Sequence, residues 1–459
     1  MPGRCNDILR RFLLSCTGGL LALSLAAISA SAGDAPGTAP TLTLDDAIQL
    51  AIKGNRTLKV AALEVAKNEE ELASARTRRL PAISTAAVAS QLMTPIDFKF
   101  AEGAFGTYPG IGPIPAHDTD IHTPLRPVFH IEAEALQPIS QLYKINLGLH
   151  LQAATIAATR EQFRAQRQAL ADNVKQAYYA MLQTESALQA ANSLLKEFEE
   201  LDRIVTQRLS EESALKADSL DVKAKLANQR YQLAQLDHRL SSQKEYLNNL
   251  LGRDIRTEFQ TQPVPALAPM ETSLADAQQT ALAHRPEIKV AELSAQQADY
   301  ARRIARAEYL PDLGFGVRYL SSFNVNLLPS NIAMAGFELK WEPWDWGRRR
   351  HDINVKKLTL EQSQQQLQET QNKVLLEVND DFRKLQEDRL LLEASGIARE
   401  AAHEKLRVVT NQYSENAVLV SDVLQQTASV ASAEDHYQQA LLALWTAKAA
   451  FEKSLGEDQ

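Results

Sequence analysis

Two turns in the chain carry the same polar residues at the same spacing: Ser210-Glu211, Leu215, Asp218 and Leu220 are matched by Ser414-Glu415, Leu419, Asp422 and Leu424. A carboxylate placed just after such a turn can accept the unpaired backbone N–H groups of a starting helix, so Asp218 and Asp422 read first as helix caps. A second set of charges falls on alternate residues. Glu132 and Glu134 alternate with Ile131, Ala133 and Ala135, and Glu338, Lys340 and Glu342 alternate with Phe337, Leu339 and Trp341. Period-two alternation gives a strand one charged, wet face and one apolar face. His117, His122 and His130 have no metal-ligand spacing, and the first two sit in the Gly/Pro-rich "GTYPGIGPIPAHDTDIHT", which reads as an external loop. With no Gly-rich phosphate loop, nucleophile elbow or ligand cluster, the residues point away from an enzyme and call for neither cofactor nor metal.

The elements that would position these charges are written twice. "LTLDDAIQLAIKGNRTLKVAALEVA" from Leu42 has a weaker copy, "TSLADAQQTALAHRPEIKVAELSAQ", from Thr272. Set Leu44 on Leu274, and one constant shift holds to Leu80-Pro81 against Leu310-Pro311, with about a third of positions identical. Sustained self-similarity of this kind marks a duplication. No proline lies between Pro138 and Pro263 or after Pro343, so long helices can run there. In the first tract Ile156, Phe163, Leu170, Ala177, Met181, Leu188 and Leu195 form a heptad repeat with one four-residue step; Ile353, Leu360, Leu367, Val374, Val378, Leu385 and Leu392 do the same in the second. Heptads imply coiled-coil-like packing, and the stutter locally unwinds the supercoil, as a wide tube of helices requires. At 1.5 Å per residue each long helix would span roughly 90–100 Å.

These signals divide the chain into residues 1–32, a secretory signal peptide, and two repeats. The first, 33–270, has helices at about 44–80, 145–208 and 218–252 and strands at about 82–100 and 126–138. The second, 271–459, has helices at about 274–310, 351–412 and 421–456 and strands at about 312–324 and 332–342. Arg4, Arg10 and Arg11, the apolar stretch to Ala30 and the small residues Ala30-Ser31-Ala32 carry the signal-peptide reading. Both cysteines, Cys5 and Cys16, fall inside that peptide, and the apolar core running on past Cys16 argues against lipid attachment there. The net charge of −8 argues against a nucleic-acid partner. After the signal no apolar run approaches the ~18 residues of a spanning helix, so a membrane would be crossed by strands. Alternation alone fits a soluble sheet as well. Secretion, Trp344 and Trp346 as interfacial anchors, and the lack of a second apolar layer favour a barrel. Four strands are too few to close one, and an open edge in lipid is prohibitive, so several chains must share it.

In tandem halves, in "AIQLAIKGN…LKVA", in "WEPWDWGRRR" after the last strand and in "YSENAVLVSDVL" at Tyr413 to Leu424, the chain resembles TolC-type outer-membrane efflux channels over nearly its whole mature length. The resemblance implies a mostly α fold with a membrane β-barrel: a homotrimer whose four strands per chain close one barrel, continuing into a periplasmic α-barrel tunnel in the outer membrane of a Gram-negative bacterium. The implied function is the exit duct of a tripartite efflux or secretion system. Its implied partners are a periplasmic adaptor (membrane fusion protein), an inner-membrane transporter and outer-membrane lipid. A soluble periplasmic coiled-coil scaffold is the alternative; it accounts for the helices but not for matching charged strands in both halves. By resemblance Asp422 forms an acidic ring at a periplasmic gate, Gln425 stands at the family's second acidic position, and Tyr413 is a latch with Asp218 as its partner carboxylate. A basic latch residue would fall at Val418, and Asn416 replaces a turn glycine. The adaptor-contacting tips would be Ser210, Glu211, Leu215, Ser414, Glu415, Asn416 and Leu419, and the barrel lumen would be lined by Glu132, Glu134, Glu338, Lys340 and Glu342.

Overall fold

A computed structural model describes residues 40–456, apart from residues 92, 96, 123, 124, 213, 214, 264–272, 325–328 and 416. The expected signal peptide with Cys5 and Cys16, and Asn416 in the second turn, lie outside the described residues. The first half contains β1 (Thr41–Leu42), α1 (Leu44–Gly54), α2 (Arg56–Thr77) and β2 (Ala82–Gln91). Short strands β3 (Asp97–Phe100), β4 (Thr107–Tyr108), β5 (Gly112–Pro113) and β6 (Thr119–His122) precede β7 (Pro127–Pro138), the 70-residue helix α3 (Gln141–Ser210) and its return α4 (Lys216–Leu251). Strand β8 (Gln260–Thr261) closes the first half, and the second contains α5 (Leu274–His284), α6 (Pro286–Ala307), β9 (Asp312–Phe323), β10 (Asn331–Lys340), the 67-residue helix α7 (Arg348–Ser414) and α8 (Val420–Ser454).

Local chemistry starts the paired opening helices in the same way. The Thr43 hydroxyl accepts the Asp46 N–H at 3.1 Å, and the Ser273 hydroxyl accepts the Asp276 N–H at 3.2 Å. Where the sequence pattern predicts one unbroken helix to Leu80 and another to Leu310, the structure breaks each after eleven residues. Asn55 turns extended and caps α2, its side chain accepting the Leu58 N–H at 3.0 Å. Arg285 is held extended because Pro286 follows it, and that proline, lacking an N–H, begins α6 without cost. Both second pieces end before the Leu-Pro pair, at Thr77 and Ala307.

The long helices begin earlier than the heptads predict, at Gln141 and Arg348 rather than Ile145 and His351. Their buried faces carry the repeat: Ile156, Leu170, Ala177 and Met181 on α3, and Val374, Val378 and Leu385 on α7. Tyr178 and Met181 sit with Leu247, Leu251 and Phe259 in one cluster, while Val378 packs with Ala277, Ile288, Leu444 and Phe451 in another. Each large side chain so buried contributes about 2–3 kcal/mol. The Tyr178 hydroxyl, 2.8 Å from the carbonyls of both Leu42 and Gln262, also accepts the Gln262 N–H at 2.8 Å. It pins the parallel pair of β1 and β8, which ties the beginning of the first repeat to its end.

A second duplicated joint lies where the returning helices end. Gly252 closes α4 at φ 71°, pressed so closely on Gly54 and Asn55 that a Cβ there would overlap the Gly54 carbonyl. Gly456, after α8, has φ 76°, and a Cβ on it would lie 2.9 Å from the Arg285 nitrogen and the His284 carbonyl carbon. The break in each opening helix is therefore the seat for the end of a returning helix.

One antiparallel sheet holds four strands in the order β10-β9-β7-β2, leaving β10 and β2 as open edges. The helices follow the same order. Helix α6 packs between α3 and α7, with α2 on the far side of α3; lower down, α3 packs on both α4 and α8, and α8 packs on α7. One flank of the chain is thus β10 and α7, the other β2, α2 and α4. The first sheet strand stops at Gln91, not near residue 100, because its partner β7 begins at Pro127, the residue paired with Gln91. Residues Asp97–Phe100 pair instead with Thr119–His122 in a separate ribbon.

Candidate functional site

The sheet separates its two faces cleanly. Pairing of Glu134 with Arg318, of Arg318 with Met334, and of Glu338 with Gly314 puts Glu132, Glu134, Arg318, Glu338 and Lys340 on one face. Arg318 reaches both Glu132 (3.1 Å) and Glu134 (3.0 Å), and Lys340 pairs with Glu338 at 2.9 Å. The opposite face presents Ile83, Phe129, Ile131, Phe315, Val317, Phe337 and Leu339, all exposed in the single chain. An antiparallel sheet with that much bare apolar surface on one side and solvated charge on the other fits a barrel wall between lipid and water. Arg318 is a member of the charged face that the lumen set misses, although alternation along β9 already pointed it there.

Glu342 does not belong to that face. The strand ends at Lys340, which pairs with Asp312 at the start of β9, so Trp341 and Glu342 lie beyond the ladder. Glu342 instead receives Arg348 and Arg349, each at 3.0 Å, and anchors the first turn of α7. Next to it Trp341, Trp344 and Trp346 stand exposed, the last at 92%. Single cysteines at Glu338 and Lys340 are expected to react with a membrane-impermeant maleimide in whole cells or proteoliposomes, while Phe337→Cys and Leu339→Cys resist. The opposite pattern would turn the sheet inside out.

Away from the sheet the two helical hairpins end in matching tips. Asp218 accepts the Leu215 N–H at 3.3 Å and Asp422 accepts the Leu419 N–H at 3.0 Å, so each carboxylate caps its returning helix. Ser210 and Ser414 hydroxyls each donate to the carbonyl three residues back, at 2.6 Å. Glu211 and Glu415 follow as exposed C-cap residues. Leu215 and Leu419 project into solvent, 69% and 71% exposed. Gln425 is exposed one turn beyond the partly exposed Asp422, and Val418 packs on an apolar cluster formed by Phe198, Leu201, Val205, Val222, Tyr413, Val420, Val423 and Leu424. That cluster joins the two hairpins.

Tyr413 is buried in the cluster, and among the described residues no hydrogen bond links it to Asp218. Its partner is Arg208, whose guanidinium carbon lies 4.4 Å from the ring centroid. Arg208 was not legible as a tip residue, because the repeat places Gln412 at its counterpart. Higher up, Glu197 of α3 and His403 of α7 flank a cleft of about 770 Å³ floored by α8, where His403 pairs with Glu434 at 2.8 Å. Burial raises the Glu197 carboxyl above its ordinary value, and the His403 charge partly offsets this.

A sheet with lipid-suited and water-suited faces, continuing strand by strand into helices too long for a compact core, defines a membrane channel subunit. The family model for outer membrane efflux proteins matches residues 47–253 and 277–457, and the chain belongs to that family. It is accordingly an efflux channel protein of the outer membrane, and the soluble-scaffold alternative falls. No curated protein matches the chain. Among solved structures it is similar to CusC, a transmembrane channel, with TM-score 0.76 and 18% identity, covering 90% of this chain and 92% of that one. It is also similar to the outer membrane protein VceC of Vibrio cholerae (TM-score 0.72, 17% identity, 90% and 96% covered) and to the CmeC outer membrane channel of Campylobacter jejuni (TM-score 0.75, 16% identity, 90% and 85% covered).

Proposed function

We propose that three copies of this chain close one barrel of twelve strands, four from each, and that the long hairpins continue it as a tunnel of twelve helices, again four from each. The observation that carries this is the pair of complementary flanks. The β10 edge of one copy is free to pair with the β2 edge of the next, and the same step sets α7 against α2 and α4. Exposed apolar side chains line both sides of that seam: Leu376, Leu390 and Ile397 on α7, Val60 and Leu63 on α2, Tyr231 and Tyr246 on α4. A head-to-tail contact whose rotation closes gives a ring, and closing it removes every sheet edge that lipid could not satisfy.

On this reading the duct passes substrates from an inner-membrane transporter, through a periplasmic adaptor, to the exterior, and the hairpin tips form its inner end. The exposed Leu215 and Leu419, beside Ser210, Glu211, Ser414 and Glu415, offer the adaptor small apolar contacts, with Asn416 assigned to the same surface from the sequence alone. Asp422 and Asp218 ring the passage with Tyr413, Gln425 and Val418 behind them, while Glu132, Glu134, Arg318, Glu338 and Lys340 line the wet barrel. Amine-reactive cross-linking in mild detergent tests the assembly and should stop at three chains; a double change of Leu390 and Ile397 to Asp should shift the product to monomer. A wild-type monomer stable in detergent would overturn the ring.

A further inference from the structure

The contact between the two hairpin tips is made by residues that the repeat does not pair. Arg208-Leu209 at the end of α3 corresponds to Gln412-Tyr413 at the end of α7, so one copy carries the cation and the other the ring. The structure brings these unlike residues together. Besides lying 4.4 Å over the Tyr413 ring, the Arg208 guanidinium donates to the Tyr413 carbonyl at 3.4 Å. That carbonyl is in the last turn of α7, the negative end of the helix dipole, which favours a cation. The ring itself is held by apolar side chains from both hairpins, so its face is fixed in position to meet the guanidinium. Its hydroxyl makes no hydrogen bond among the described residues. Above the pair a cleft of about 510 Å³, bordered by Leu201, Ile204, Leu406 and Thr410, gives the two helix ends room to part.

We propose that Arg208 is a clasp between the hairpins of one chain, acting through the ring face and terminal carbonyl of Tyr413, and that it sets how readily the tunnel's inner end opens. The proposal rests on reading the tips as the gate. It assigns Arg208 the positioning task that a basic residue at position 418 would otherwise perform, and it has Tyr413 act through its ring rather than its hydroxyl.

The test is basal single-channel conductance of reconstituted trimers in planar bilayers. Arg208→Ala should raise the open-to-closed ratio roughly three- to tenfold, the effect of losing one partly buried cation–π contact. Arg208→Lys should recover part of the closure. Tyr413→Leu should match Arg208→Ala, Tyr413→Phe should open the channel less than Tyr413→Leu does, and the Arg208→Ala, Tyr413→Leu double variant should open it no further than either alone. Additive effects would overturn the clasp, as would a Tyr413→Phe channel as open as Tyr413→Leu, which would return the role to the hydroxyl. Asp422→Asn is measured alongside for cation block. If it weakens block while Arg208→Ala leaves conductance unchanged, the gate stands and the clasp falls; if neither variant has an effect, both fall.

Discussion

Gly252→Val is expected to cost ~4 kcal/mol or more and to remove most of the folded channel from outer-membrane fractions. Two penalties combine at this position. A β-branched residue resists φ 71°, and its Cβ would overlap the Gly54 carbonyl, backbone that cannot rotate away. Gly456→Val should behave similarly, because the same seat exists in the second half against His284 and Arg285. Gly110 supplies the control: it has φ 81°, and a Cβ added there would meet nothing within 4 Å, so Gly110→Val suffers only backbone strain, about 1–2 kcal/mol. Thermal unfolding in detergent, followed by helical circular dichroism, should rank Gly252→Val far below Gly110→Val. Equal melting would show that the joint between returning and opening helices yields freely.

Asp422→Asn is expected to weaken block of the channel by divalent cations, applied from the periplasmic side, about tenfold or more. Three symmetry-related carboxylates around the proposed axis would concentrate negative potential there, and a divalent ion responds most strongly. The substitution isolates charge from structure, since the amide oxygen of Asn can still accept the Leu419 N–H that Asp422 caps at 3.0 Å. Asp422→Ala removes both roles and should in addition loosen the start of α8. If block is the same in the wild type and in Asp422→Asn, the carboxylate is a cap and has no part in conduction.

How much of this was legible in the sequence differs from element to element. The long helices were, since Val374, Val378 and Leu385 keep heptad spacing and no proline interrupts it. The break at Arg285 was marked by Pro286, yet the helical pattern runs through it and through Asn55, so periodicity hid both joints. Strand ends were misplaced where alternation outlasts pairing: Glu342 continues the pattern past Lys340, but its would-be partner, Leu310, lies before Pro311 and outside β9. The charged face was readable residue by residue, whereas the convergence of Arg318 on Glu132 and Glu134 depended on the register between β7 and β9. Arg208 and Tyr413 lie 205 residues apart, and no repeat, spacing or motif relates them.

The pairing of β7 with β9 sets an order of events. It matches Pro138 with Gly314 and Phe129 with Phe323, so all of α3, α4, α5 and α6 must be threaded before the centre of the sheet can bond. Helical hairpins form from near neighbours and form fast; a seam between such distant segments is slow. A newly exported chain would therefore acquire its rod-like part early and wait with its greasy strands unjoined. How long it waits sets its exposure to periplasmic chaperones and proteases. The rate of delivery to the membrane would follow closure of that seam and the local concentration of sister chains, and would be nearly indifferent to changes that only strengthen the helices.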